Sequence, residues 1–208
     1  LLKPLIVMGH LLGGLTTLGL LVWLLLETRR SAKALQPARR HIPWLAVSGL
    51  VILGMQIALG GWTSSNYAAL ACPDIPTCQG QWWPEDSNFA EGFVLWRGLG
   101  INYEFGVLDA PSRVAIHFAH RLGAVATFTM LLLIGLRFRA RSQAAALRWA
   151  ATLVLGAVTL QVLIGAGVVW FGLPLTLATA HNAVAALLLL TMINLNHAAS
   201  FTANRHPA

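Results

Sequence analysis

The sequence predicts an all-α integral membrane protein with five transmembrane helices, and three observations carry that prediction. Of its 208 residues 57% are hydrophobic and 10% charged, a balance that neither a soluble globule nor a disordered chain sustains. Apolar runs cover 4–26, 44–62, 114–136, 149–171 and 173–193, each close to the ~20 helical residues that cross a bilayer core. The charges follow membrane topology, so the net charge of +7 points to lipid and away from nucleic acid as the partner.

Taken in order, the first and second spans are joined by 27–43 and the third and fourth by 137–148. Together these joints carry Arg29, Arg30, Lys33, Arg39, Arg40, Arg137, Arg139, Arg141 and Arg148 against the single acid Glu27. By the positive-inside rule both are cytoplasmic. The 63–113 connection between the second and third spans holds Asp74, Glu85, Asp86, Glu91, Glu104 and Asp109 with only Arg97 and Arg113, and is placed outside. The N-terminus is therefore expected outside and the C-terminus in the cytoplasm. Trp62 and Trp170 close two spans at the outer level, and Trp44 and Trp149 open the same two at the inner level, as aromatic belts do.

The chain opens Leu1-Leu2-Lys3-Pro4, with neither an initiator Met nor a charged leader, and is expected to be the C-terminal part of a longer membrane protein. An internal echo supports this. Met8-Gly9-His10-Leu11-Leu12-Gly13-Gly14 in the first span parallels Ala180-His181-Asn182-Ala183 in the fifth. Gly54-Met55-Gln56-Ile57-Ala58-Leu59-Gly60-Gly61 in the second parallels Thr159-Leu160-Gln161-Val162-Leu163-Ile164-Gly165 in the fourth. Small residues alone would only signal close helix packing; two paired echoes suggest a duplicated four-helix unit. The expected division is 1–43 as the last helix of a truncated first half with a cytoplasmic linker, 44–197 as a complete second bundle, and 198–208 as a cytoplasmic tail.

The histidines inside the spans carry the chemical signal. His10, His120 and His181 lie six to eight residues from the outer ends of spans that run in one direction, which at 1.5 Å per residue is roughly 9–12 Å deep. Ionisable residues in membrane helices are costly and mark function by default, and neutral imidazole is a common axial ligand of haem iron. A lone His is better read as an interhelical hydrogen bond; a coplanar set favours a cofactor. His117 and His120 share one helix face, so both cannot ligate opposite sides of one macrocycle. Arg121 sits close enough to the outer end to meet haem propionates or an outer-loop acid such as Asp109. His41, His197 and His206, near cytoplasmic ends, are expected to be solvated or to face headgroups.

The outer loop holds the only cysteines, in Cys72-Pro73-Asp74-Ile75-Pro76-Thr77-Cys78. Outside the cytoplasm a disulfide is the expected state, with a thiol relay or a metal clip as weaker readings. Phe89, Phe93 and Trp96, beside Glu91 and Arg97, predict a short amphipathic helix on the outer surface.

The run Gln56 to Cys72, including Gly60-Gly61-Trp62-Thr63, then Pro73 to Cys78 and Gly80-Gln81-Trp82-Trp83-Pro84, resembles the haem A synthase family. So do His120-Arg121, His181 and His10-Leu11-Leu12-Gly13-Gly14. The likeness spans nearly the whole chain, and its most specific part is the Gly-Gly-Trp-Thr to Cys stretch. It implies eight helices in two similar halves, with the five spans here matching the last five. It further implies an oxidoreductase that converts the C8 methyl group of haem O to the formyl group of haem A for cytochrome c oxidase, in a bacterial inner or plasma membrane. By the same resemblance His120 and His181 hold haem b as the iron-bearing cofactor, Arg121 assists, and His10 serves the substrate haem. No catalytic carboxylate is assigned: the resemblance places it three residues before the His-Arg pair of the first half, in upstream helices, and the same spacing in this half falls on His117. Haem O synthase, cytochrome oxidase assembly factors and further copies of the chain are the candidate partners. Three readings compete: a bis-His b-type cytochrome for electron transfer, a haem-handling chaperone or exporter suggested by Trp82-Trp83, and a plain structural membrane subunit.

Overall fold

A computed structural model describes residues 3–31, 41–98 and 100–201. Lys33, Arg39 and Arg40 of the basic joint, His206 and the end of the tail lie outside the described residues. Six helices follow in order: α1 (Pro4–Ser31), α2 (Trp44–Ser65), α3 (Phe89–Gly92), α4 (Ala110–Arg141), α5 (Ala145–Trp170) and α6 (Leu175–Ala199). All but α3 are long and apolar enough to cross a membrane, as the hydropathy pattern predicts, and no strand occurs among the described residues.

Helix α4 outruns its apolar stretch at both ends, while α1, α2 and α6 run past theirs at the C-terminal end and α5 starts early. Helix α4 starts four residues early because Asp109 caps it, its carboxylate accepting from the Ser112 N–H at 3.0 Å, with Pro111 in the first turn. The nearby Ser112 hydroxyl, and next the Ser112 N–H, hold the Asp109 carboxyl below its usual range. At the other end α4 continues through Arg137, Arg139 and Arg141, where cations suit the helix C-terminus and long side chains reach the headgroups.

Helices α2, α4, α5 and α6 close into a ring: α2 packs on α4, α4 on α5, α5 on α6, and α6 returns to α2. Their shared core lies toward the arginine-rich end, built from Leu53 of α2, Leu131 and Ile134 of α4, Val154 of α5, and Leu188 and Met192 of α6. Gly49 marks where three helices meet. A Cβ there would come within 2.7 Å of Ile134 Cδ1 and 2.8 Å of Met192 Cε. Nearby, the buried Asn196 amide of α6 donates to the Ala46 carbonyl of α2 at 3.0 Å, a polar tie of the kind membrane bundles use. Helix α1 stands outside the ring, against α2 and α6 only.

Two expectations need correction. The outer helix around Phe89 stops after one turn, because side chains take the carbonyls that would extend it. The Trp62 indole donates to Gly92 O at 2.9 Å, and Arg97 donates to Glu91 O at 2.6 Å while pairing with the Glu91 carboxylate. Trp96, left beyond the helix, lies under the Lys3 ammonium at 3.8 Å. The second correction concerns His197, which is buried and not solvated. Its Nε2 lies 3.2 Å from the Glu27 carboxylate and its ring meets Trp23 and Phe201 edge-on, joining α1 to α6.

Gly49→Val is expected to lower the unfolding midpoint in detergent by an amount equivalent to about 1–3 kcal/mol, the usual cost of overfilling a packed core. Val51→Ala, on the exposed face of the same helix, should stay within about 0.5 kcal/mol.

Candidate functional site

His120 of α4 and His181 of α6 are each held from the neighbouring helix by the same device. A Gln56 Nε2 hydrogen on α2 reaches His120 Nδ1 at 3.0 Å and also donates to the His120 carbonyl at 3.0 Å. One turn later on α2, Gly60 leaves room for the ring: a Cβ there would stand 3.2 Å from His120 Cε1. On α5, Gln161 Nε2 lies 3.3 Å from His181 Nε2, and a Cβ on Gly165 would stand 2.9 Å from His181 Cε1. The two rings lie within electrostatic range of one another. The sequence pattern shows both Gln-x-x-x-Gly segments as an echo, read there through their small residues; their polar role was missed, and the equal Gln-to-Gly spacing was the available signal.

Each imidazole keeps a nitrogen for something else. No hydrogen bond among the described residues engages His120 Nε2, and His181 Nδ1 is buried without a partner. Among the described residues no three His, Cys, Asp or Glu side chains converge on one point, so the histidines come as a pair. His10 is exposed on α1, with nothing within 4 Å of a Cβ built on Gly9, Gly13 or Gly14. It lies on a helix that packs on α2 and α6 and does not touch α4, which carries His120. Adjacent glycines of α2 divide the labour, Gly60 meeting His120 while Gly61 faces Leu11 and Met8 of α1.

His117 and Arg121 turn toward the outer loop. Cys72 and Cys78 are disulfide-bonded with Cα atoms 4.6 Å apart, and both are buried against Val114 and Phe118 of α4. The Arg121 guanidinium donates to three carbonyls of this ring, Cys72 at 2.5 Å, Asp74 at 2.6 Å and Thr77 at 2.7 Å. Its Nε also approaches His117 Nε2 at 3.3 Å, while the Cys72 N–H lies 3.1 Å from His117 Nδ1. A neutral imidazole has one acceptor nitrogen, so His117 accepts one of these donors at a time. Neither Asp109 nor another carboxylate pairs with Arg121; loop carbonyls, which have no signature in a sequence, take that place. Trp83 packs on Phe89 and Phe118, while Trp82 is exposed.

Asp74 ties the ring from within. Its carboxylate accepts from the Thr77 hydroxyl, from Gly80 N–H at 2.9 Å and from Gln79 N–H at 2.6 Å. These bonds, Thr77 foremost, lower its pKa from 3.8 to about 2.

A family model for cytochrome oxidase assembly protein, COX15-CtaA, matches residues 1–193. The chain belongs to that family. It is 44% identical over 197 residues to a protein of Shewanella oneidensis named heme A synthase, covering 94% of this chain and 58% of that one. Heme A synthases of Rhizorhabdus wittichii and Roseobacter denitrificans are 29% and 31% identical, over 90% and 85% of this chain and 50% and 44% of theirs. The chain thus spans about half the length of these relatives. No solved structure matches it. Family and spans together make it a multi-pass integral membrane protein.

Arg121→Met should leave three loop carbonyls without their charged donor, where each such bond contributes about 1.5–3 kcal/mol. Reduction of the disulfide by a soluble phosphine is then expected to run at least about tenfold faster, the factor that 1.4 kcal/mol represents. For Asp74 the folded pKa lies below the unfolded one, so its contribution is full above 3.8 and fades as pH falls toward about 2. The phosphine rate should accordingly be flat from neutrality to about pH 4 and rise below it; Asp74→Asn should be fast throughout.

Proposed function

We propose that this chain is the haem-cofactor portion of a haem A synthase, which oxidises the C8 methyl group of haem O to the formyl group of haem A for cytochrome c oxidase. The observation that carries the reading is the imidazole pair on α4 and α6, set in matching Gln and Gly cradles in a chain whose relatives are named heme A synthase. A haem supplies four nitrogens of its own and asks the protein for two more. His120 Nε2 and the unpartnered His181 Nδ1 show that neither ring is fully committed to the protein, so the residues fit a bis-imidazole haem b. When bound, such a haem supplies one-electron chemistry.

The chain's own residues bind and orient. His120 and His181 would hold the haem iron, and Gly60 and Gly165 let their helices approach the rings. Arg121 has one of its five N–H donors left after its loop bonds, enough for one contact to a propionate. His10, on the open face of α1, serves the substrate haem O. The loop that carries the disulfide faces the outer side of a bacterial inner membrane, and haem O synthase and cytochrome oxidase assembly factors are the protein partners.

A second reading, a bis-His b-type cytochrome that relays electrons and performs no oxidation of haem O, is favoured by one observation. Helices α2, α4, α5 and α6 contain no carboxylate that could manage protons at a reacting methyl group.

In the purified full-length protein, His120→Ala and His181→Ala should each abolish the low-spin bis-imidazole EPR signal of this haem. A signal unchanged in the double variant sinks the assignment. Aerobic turnover with haem O, followed by mass, separates the readings: a synthase yields hydroxylated and formyl products, whereas a pure electron carrier leaves haem O unaltered.

A further inference from the structure

We propose that Gln56 is the positioning residue of His120: it fixes the ring's rotation and commits Nδ1, so that Nε2 is the nitrogen offered to iron. The inference rests on the haem-binding reading above and adds a residue to it. Its first support is that one amide grips His120 twice, at the ring and at the backbone carbonyl, both at 3.0 Å. A side chain that served only to fill space would need neither bond.

The second support is an unused acceptor. Gln56 Oε1 is buried with no partner, a cost that Leu or Met at this place would avoid. Once Nε2 is bound to a metal, neutral imidazole must carry its proton on Nδ1. The amide turned end for end then presents Oε1 to that N–H and releases the His120 carbonyl in exchange. Ligand histidines commonly donate their second N–H in this way, which orients the ring and raises its basicity.

The third support is that space has been made for the amide and not only for the ring. A Cβ on Gly123, three residues beyond His120 on α4, would overlap Gln56 Oε1, and one on Gly60 would press on the imidazole. The repeat on α5, with Gln161 four residues before Gly165 and both against His181, argues against coincidence. There the amide meets Nε2 and leaves Nδ1 unpartnered, so the two rings are anchored through opposite nitrogens and only His120 directs Nε2 away from its anchor.

The test compares Gln56→Leu, Gln56→Glu and Gly123→Ala in the haem-loaded full-length protein, by EPR and by the midpoint potential of the His120 haem. Gln56→Leu removes the acceptor, makes the ligand less basic and should raise the potential by at least a tenfold change in the oxidised-to-reduced ratio, about 59 mV for one electron. It should also broaden the low-spin signal as the ring gains rotational freedom. Gln56→Glu, a stronger acceptor, should shift the potential the other way. Gly123→Ala favours the helix yet displaces the amide, and should reproduce the Gln56→Leu signature without touching either partner, which decides the matter if Gln56→Leu does not fold. Unchanged potential and EPR in Gln56→Leu and Gly123→Ala with haem retained, or shifts of one sign in the Leu and Glu variants, overturn the inference. Parent protein without any bis-imidazole haem overturns the underlying reading instead.

Discussion

An imidazole set half-buried between apolar helices needs a polar partner and a gap in the packing beside it, and this bundle meets both needs twice. The partners are Gln56 and Gln161; the gaps are Gly60 and Gly165. Because a glutamine four residues from a glycine occupies the same helix face, each cradle comes from a single helix and presses on a single neighbour. That requirement ties α2 to α4 and α5 to α6 at the end nearer the disulfide loop. The apolar core of Leu53, Leu131, Val154 and Met192 then holds the same four helices at the other end. Close approach at one end and dense packing at the other make the ring of four a rigid frame, with α1 as an attached fifth wall.

Much of this was legible before any coordinates. The five spans follow from apolar length, and the overruns of α4 follow from a capping Asp109 and from arginines that suit its C-terminal end. Equal depth on spans of one direction put His10, His120 and His181 at one level, and the choice of His120 with His181 came from the family resemblance. Depth counts position along the membrane normal and is blind to position within its plane, so it grouped His10 with the pair, although α1 lies outside the ring. The glutamines were visible as an echo but hidden by a reading in which small residues explain helix contact. Arg121 could not be resolved at all: its partners are backbone carbonyls of a disulfide-closed loop, and every residue has a carbonyl. The short α3 failed the periodicity argument for a related reason, since the indole of Trp62 and the guanidinium of Arg97 capture the carbonyls that the next turn required.

Glu27 and His197 show the same limit from the opposite side. Glu27 was counted with the basic joint and His197 was expected to be solvated or to face headgroups, because each stands where a span ends. In three dimensions they face one another across α1 and α6, with Trp23 and Phe201 around them. End-of-helix position predicts solvation only for a helix whose end has no neighbour.

His120 and Arg121 are consecutive residues, so on a helix of 3.6 residues per turn they point about 100° apart. One ring belongs to the bundle interior, and the adjacent guanidinium belongs to the loop. Such an arrangement has a kinetic consequence. The loop cannot swing aside by a picosecond rotamer flip, because Arg121 would have to release three carbonyls together while His117 gives up Cys72. Opening of this end is instead a cooperative local unfolding, on the order of microseconds to seconds. Any large molecule that enters or leaves past the disulfide ring is therefore timed by the lifetime of that latch and not by its own diffusion.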